Sequence, residues 1–525
     1  MNKKICDALL WIMVFALIFT HIPKAIQWSF LGSGMSGRLS WYPLVIGLLY
    51  TGYCQWKYKN VLVYWSTFRN FIVVYLGIAL ISEIWGLWIY PYYDNILNGP
   101  VSQIEKMQYV LHWAADYGIL IDEKWLTGIW MIARPIKVLI LTTLYTWCGA
   151  YMIFCWYYNR AEDLKRILIK GLWGSLIVVV LYSGIEIFYL LGSETAKGIL
   201  MKINPFLYDI KTNYGWWPPL LWKNQLRSVF PEPSFFSIWS AFAFPLLIFL
   251  FFEKGRQKYL WGSILLIFSC MIFLTNARTG VALLLGELGL FGIYIIWNHS
   301  VQNLKRYGCV LGILCLAFYG AMTIEDFKYP TIQNEISQKD TIKENVSEYV
   351  DKNLTSIVGI GKRSNAARYG TIWADAAIGL DHPLLGVGNN LVSAYKPDYF
   401  PKWALENKEV QLWIKYQESA GILKYGIPSF SEYTRTFAEG GIFFFVARFG
   451  PVVYLLFRLM SEIYKKKGQF WPVCLLVSLC GMLASGLSNN LSVTYCFWIL
   501  LAAGYVLCFG NSETNRRGVS TIKYE

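Results

Sequence analysis

The chain reads as an all-α polytopic membrane protein, with about twelve transmembrane helices and one large extracytoplasmic helical loop. Three observations predict this. Of 525 residues, 56% are hydrophobic and only 15% charged, against roughly 25% charged in soluble domains. Twelve apolar runs approach the length of about 20 residues that crosses a hydrocarbon core. One hydrophilic stretch, Glu325 to Glu439, interrupts them, and loops of such length are usually functional or disordered; we read it as functional.

The apolar runs lie at 5–22, 41–56, 70–90, 136–158, 171–192, 235–252, 259–275, 279–297, 308–324, 441–459, 470–488 and 491–510. They divide the chain into helices one to nine (1–324), a loop or lid (325–440), helices ten to twelve (441–510) and a tail (511–525). Met1-Asn-Lys-Lys4 precedes the first run with no small-residue cleavage site after it, which reads as a retained helix. Lys and Arg crowd the alternate connecting segments that include the N-terminus and Lys465-Lys-Lys467. By the positive-inside pattern both termini are cytoplasmic and the long loop is outside.

The long loop holds thirteen basic and fifteen acidic residues, so the net charge of +14 is mostly a topology signal. It implies no nucleic-acid partner. All eleven cysteines lie in apolar runs and read as small buried hydrophobes. With four histidines, no Cys-x-x-Cys, no His-Glu-x-x-His, no phosphate loop and no two Asp separated by one residue, the sequence predicts no metal centre and no cofactor.

What remains is a set of arginines with acidic neighbours on the outer side: Arg227 with Glu232, then Arg278, Arg363, Arg368 and Arg435. Arginine stays charged and grips phosphate oxygens in pairs. At about 1.5–3 kcal/mol per charge-assisted bond, two or three would stabilise a departing diphosphate. Pro231 and Pro233 fix Glu232 in a turn at the mouth of the sixth helix. The tight turn Thr275 to Gly280 leaves Arg278 at the membrane face. An acceptor hydroxyl needs a base, and Glu232 and Glu439, each within five residues of an arginine, are the carboxylates available, with Glu232 preferred. His382, between Asp381 and Pro383, reads first as a helix end and second as a substrate contact.

Within the loop, the spacing of Ile342 to Ile357 predicts an amphipathic helix, and a second helix spans about 366–380. Gly386 to Asn390 reads as a flexible turn, and Tyr399, Trp403, Trp413 and Tyr416 as sugar-stacking or structural rings. Inside the apolar runs, Glu287 and Arg448 lie at matching depth and are expected to pair. Glu83 and Glu186 are expected near a polar cavity.

Five short stretches occur in order: Arg227 to Pro-Glu-Pro-Ser234, Asn276-Ala-Arg-Thr-Gly280, Arg368 to Trp373, His382-Pro-Leu-Leu-Gly-Val-Gly388 and Ala438-Glu-Gly-Gly441. Together they resemble the O-antigen polymerase and ligase superfamily, mainly over residues 225 to 460. The resemblance implies a GT-C-like, metal-independent glycosyltransferase in the bacterial cytoplasmic membrane, taking an undecaprenyl-diphosphate-linked glycan as donor and another as acceptor. It leaves room for a chain-length regulator as partner. Arg278 and Arg368 match family arginines that hold the donor diphosphate, and Arg227 with Glu232 match the Pro-Glu-Pro-Ser element. Many ligases carry a His where this chain has Ser429-Phe-Ser431, which favours a polymerase. The alternatives are a ligase and a lipid-linked saccharide transporter.

Overall fold

The computed structural model describes residues 1–28, 33–104, 107–209, 225–253, 257–326, 363–466 and 468–510, and its regular elements there are all helical. The main helices are α1 (Lys3–Phe15), α2 (Trp41–Tyr58), α3 (Trp65–Ile89), α4 (Met107–Asp116), α5 (Glu123–Tyr157), α6 (Ala161–Leu190), α7 (Glu194–Leu207), α8 (Pro233–Glu253), α9 (Lys258–Leu274), α10 (Arg278–Trp297), α11 (Val301–Asp326), α12 (Arg363–Asp381), α13 (Val392–Tyr399), α14 (Lys408–Ala420), α15 (Glu432–Lys465), α16 (Phe470–Ser485) and α17 (Tyr495–Phe509). All twelve apolar runs fall on helix. Seven helices (α3, α5, α6, α8, α10, α11 and α15) are long and apolar enough to cross a membrane by length and composition, and α9, α16 and α17 are apolar but shorter.

The bundle is organised around α8. Its sequence is apolar on every side, so it has no solvent face to present, and nearly all of its side chains are buried. α9, α10 and α16 pack around it. The expected Glu287–Arg448 pair does not form. Glu287 points at Gly481 of α16, whereas the Arg448 guanidinium lies 2.5 Å from the Glu432 carboxylate at the start of its own helix. The two side chains leave their helices toward different partners.

Residues 363–431 form a helical lid with one small apolar core of its own. Trp403, Trp413 and Tyr399 pack around Phe400 and Ala404, and Tyr416 lies against Tyr425, so these rings have structural partners. A fully buried ion pair, Lys396 Nζ to Asp375 at 3.1 Å, ties α12 to α13. Lys396 also donates to the Pro428 carbonyl and the Ser429 hydroxyl, each at 2.7 Å. Burial pushes the Asp375 carboxyl up and the Lys396 amine down, and each ion partly restores the other. The expected amphipathic helix at 342–357 lies outside the described residues.

The stretch after α12 is a clamp, not a flexible turn. α15 breaks at Gly441, whose φ of 61° lets the backbone admit Leu384; a Cβ there would stand 2.2 Å from that residue's carbonyl carbon. Ile442 donates to the Pro383 carbonyl at 2.8 Å, while Val387 and Gly388 donate to the Ala438 and Glu439 carbonyls at 2.9 Å. Gly86 of α3 is pressed against Val387 from the other side. Glu83 accepts the Asn389 N–H at 2.7 Å, and its side chain lines a small cavity beside Glu439. The lid is therefore fixed to α15 by backbone bonds and to α3 by the Glu83 and Ser82 side chains, in an approach that the glycines leave room for.

Candidate functional site

Glu232 closes the turn before α8, and the Ser234 hydroxyl donates to its carboxylate at 3.2 Å. The approach to this turn is pinned from α6. The Glu186 carboxylate accepts the Ser228 N–H at 2.7 Å and lies 3.7 Å from Arg227 Nε. Arg227 is buried, its guanidinium 5.2 Å from the Tyr208 ring. Arg227 thus turns to Glu186 on α6, not to its sequence neighbour Glu232. Arg227 and Glu186 form a buried strut that sets the backbone carrying Glu232.

Arg278 is the first residue of α10. Two residues on, Gly280 lets α10 meet α8 closely, since a Cβ there would come within 2.6 Å of the Ser237 hydroxyl. The beginnings of α8 and α10 therefore lie together. Each brings the positive end of its helix dipole, which favours an anion.

α12 supplies the third wall. Asn365, Arg368 and Tyr369 share one face at three- and four-residue spacing. Asn365 accepts from Arg278 Nη1 at 2.6 Å, and Tyr369 interacts electrostatically with Arg278. Arg368 stands near enough to repel Arg278 and to attract Glu232. Its guanidinium is 5.4 Å from the Phe430 ring, a cation–π contact of about 0.5–1 kcal/mol at an exposed site. Burial raises the Glu232 carboxyl above the usual carboxylate range, and the Ser234 hydroxyl and Arg368 pull it back.

The remaining candidates lie elsewhere. Arg435 and Glu439 bind each other at 2.9 Å on the wall of a separate cavity of about 710 Å³. His382 closes α12 through its backbone N–H and turns its ring edgewise toward Tyr395, 6.1 Å away. It is a helix end, as its first reading had it. Arg363 opens α12, but its side chain is outside the described residues. Sequence reasoning missed Asn365 and Tyr369, although their spacing from Arg368 is a signal. It also missed Phe430, which no local pattern marks.

Two guanidinium groups that repel one another, one of them exposed, beside a carboxylate raised by burial form a site primed for an anion. A ligand bridging both arginines would relieve their repulsion, and a diphosphate offers each its own oxygens. The described residues define an all-α protein with helices of membrane-crossing length and a lid that completes this dicationic site. No protein-family model matches the chain, and no curated protein matches it.

Proposed function

We propose that the protein is a lipid-linked-oligosaccharide glycosyltransferase that polymerises undecaprenyl-diphosphate-linked repeat units at the outer face of the bacterial cytoplasmic membrane, in a GT-C-like bundle of twelve crossings. The observation that carries this reading is the convergence of Arg278, Arg368 and Glu232 from three separate segments. The donor diphosphate rests on the two arginines. An acceptor hydroxyl oxygen forms a bond to the anomeric carbon while the bond from that carbon to the diphosphate breaks. The leaving lipid diphosphate takes the electron pair, and its growing charge is stabilised by both guanidinium groups. Glu232 receives the hydroxyl proton; its raised carboxyl makes it a better base than an ordinary carboxylate.

The resemblance to polymerases and ligases supports the same reading. The Ser429-Phe-Ser431 segment, where ligases of that superfamily carry His, gives its ring to Arg368 and offers no imidazole base. That leaves the carboxylate mechanism.

The test is elongation in detergent, with purified protein and one lipid-linked oligosaccharide as both donor and acceptor. A ladder of products that disappears in Arg368→Ala is the expected result. No ladder from the wild type, with transfer only to a different acceptor or none at all, would overturn the polymerase reading.

A further inference from the structure

The cavity of about 710 Å³ lies between α3, α5, α15 and the lid, and neither Arg278, Arg368 nor Glu232 lines it. Two ion pairs on its wall cancel internally: Arg448 with Glu432 at 2.5 Å and Arg435 with Glu439 at 2.9 Å. Three cations are left over, Arg134 and Lys137 of α5 and Lys424 of the lid. Among the described residues none of these three forms an ion pair. Arg134 donates to the Leu423 carbonyl at 2.8 Å, which ties α5 to the lid at the cavity rim.

The same three bundle helices carry an aromatic groove of about 630 Å³, lined by Phe68 and Phe71 of α3, Trp147 and Tyr151 of α5, and Pro451 and Tyr454 of α15. Tyr75 lines the charged cavity. Its ring lies 5.9 Å from Phe71 and 6.4 Å from Trp147, so cavity and groove meet at one ring cluster. Along α5, the step from Lys137 to Tyr151 is roughly 21 Å at 1.5 Å per residue. A polar end with three spare positive charges, adjoining an aromatic groove one helical turn away, suits an anionic headgroup on a long hydrocarbon chain.

We propose that this groove is a second lipid site that binds a polyprenyl diphosphate, its headgroup on Arg134, Lys137 and Lys424 and its chain over Phe71 and Tyr151. The polyprenyl nature of the chain and its role rest on the glycosyltransferase reading, under which the occupant is the acceptor. Three uncompensated cations exceed the single charge of a phosphodiester lipid and suit a diphosphate. The two sites lie on either side of the Pro428–Ser431 segment. Phe430 faces Arg368, while Ser429 lines an adjoining cavity of about 250 Å³ that also contains Arg134, Lys424 and Glu439.

The test uses the full-length protein in nanodiscs and a diazirine-bearing polyprenyl diphosphate without sugar, with cross-linked peptides mapped by mass spectrometry. Adducts are expected on α3, α5 and α15 near Phe71 and Tyr151. They should fall by about tenfold or more in Lys137→Glu, Lys424→Glu, while adducts on α10 and α12 persist and report a folded protein. With the wild type alone, excess unlabelled polyprenyl diphosphate should erase the groove adducts and equal phosphatidylglycerol should not. Groove adducts that are absent, that survive the double substitution, or that phosphatidylglycerol competes equally would overturn the proposal. Groove adducts behaving as expected in a protein that never elongates a glycan would leave the site standing and sink only the enzymatic reading.

Discussion

Arg278 donates to the Asn365 side chain, and Arg368, one turn beyond Asn365 on α12, stands near enough to repel it. Two guanidinium groups held together in this way cost energy in the empty protein. That cost falls when a polyanion bridges them, so the arrangement favours the state in which negative charge is greatest. In a glycosyl transfer from a lipid diphosphate, that state is the one approaching departure of the diphosphate.

Arg278→Ala and Arg368→Ala are therefore each expected to slow elongation by about 100-fold or more, the usual cost of removing one preorganised donor to a developing anion. Arg368→Lys should recover only part of the rate, because an ammonium group cannot grip two oxygens in a plane. Gel analysis of the lipid-linked products checks this, single-repeat material persisting where polymer is lost. Long polymer at an undiminished rate from either alanine variant would remove that arginine from the site.

The pH profile should carry the signature of Glu232. Burial raises its carboxyl, and the base works in its ionised form, so activity should be full at high pH and fall as pH drops through that raised value. The fall should begin above the roughly 4.3 of a free glutamate. The Ser234 hydroxyl and Arg368 both hold the carboxyl down. Ser234→Ala should move the acid limb to still higher pH, and Glu232→Gln should be slow at every pH. An acid limb that stays put in Ser234→Ala would assign it to another group.

Much of this was legible in the sequence. Every apolar run became helix because a chain in lipid must satisfy its backbone internally. Glu232, Arg278 and Arg368 were readable because prolines, a tight turn and a helix start marked where each segment ends. The errors came from contact geometry. Arg227 and Glu232 are close in the chain, yet Arg227 turns to Glu186 on another helix. Glu287 and Arg448 leave their helices toward different partners. Gly386 and Gly388 looked flexible because positive φ and mobility use the same residue; their rigidity depends on Gly441, some fifty positions on. Arg134 and Lys137 were visible as a pair of cations three apart, but no local pattern marks them as facing a cavity.

Arg448 and Glu432 should show strong coupling in a double-substitution cycle. Both are buried, and their pair includes the Ser492 hydroxyl and the Leu491 N–H. Breaking a buried pair by removing one partner costs about 3–5 kcal/mol, and removing both costs much less. Glu432→Gln and Arg448→Met should each lower the thermal midpoint in detergent more than the double variant does. Glu287→Gln combined with Arg448→Met should simply add. Additivity of the first pair with coupling of the second would restore the sequence-based pairing.

The Asp375–Lys396 pair offers a parallel test within the lid. Neither side chain is exposed by more than 1%, so Lys396→Met leaves a buried carboxylate with no cation, and Asp375→Leu leaves the reverse. Each single change should loosen the lid, seen as faster amide hydrogen exchange across α12 and α13. Asp375→Leu with Lys396→Met should recover much of the protection. Exchange in the double variant as fast as in the worse single one would mean that the ions are needed for more than each other.

Gly441→Ala tests whether the clamp positions the chemistry. A methyl group there would meet the Leu384 carbonyl at about 2.2 Å, and the position needs a φ of 61° that alanine seldom adopts. The backbone must then shift, and the bonds from Ile442, Val387 and Gly388 weaken together. Since Arg368 rides on α12, which leads directly into the clamp, the variant should lose elongation by an order of magnitude or more while its bundle stays folded. Limited proteolysis separates the cases: new cuts between residues 381 and 391 with an intact bundle fit a released lid, and unchanged cleavage with full activity would make the clamp dispensable.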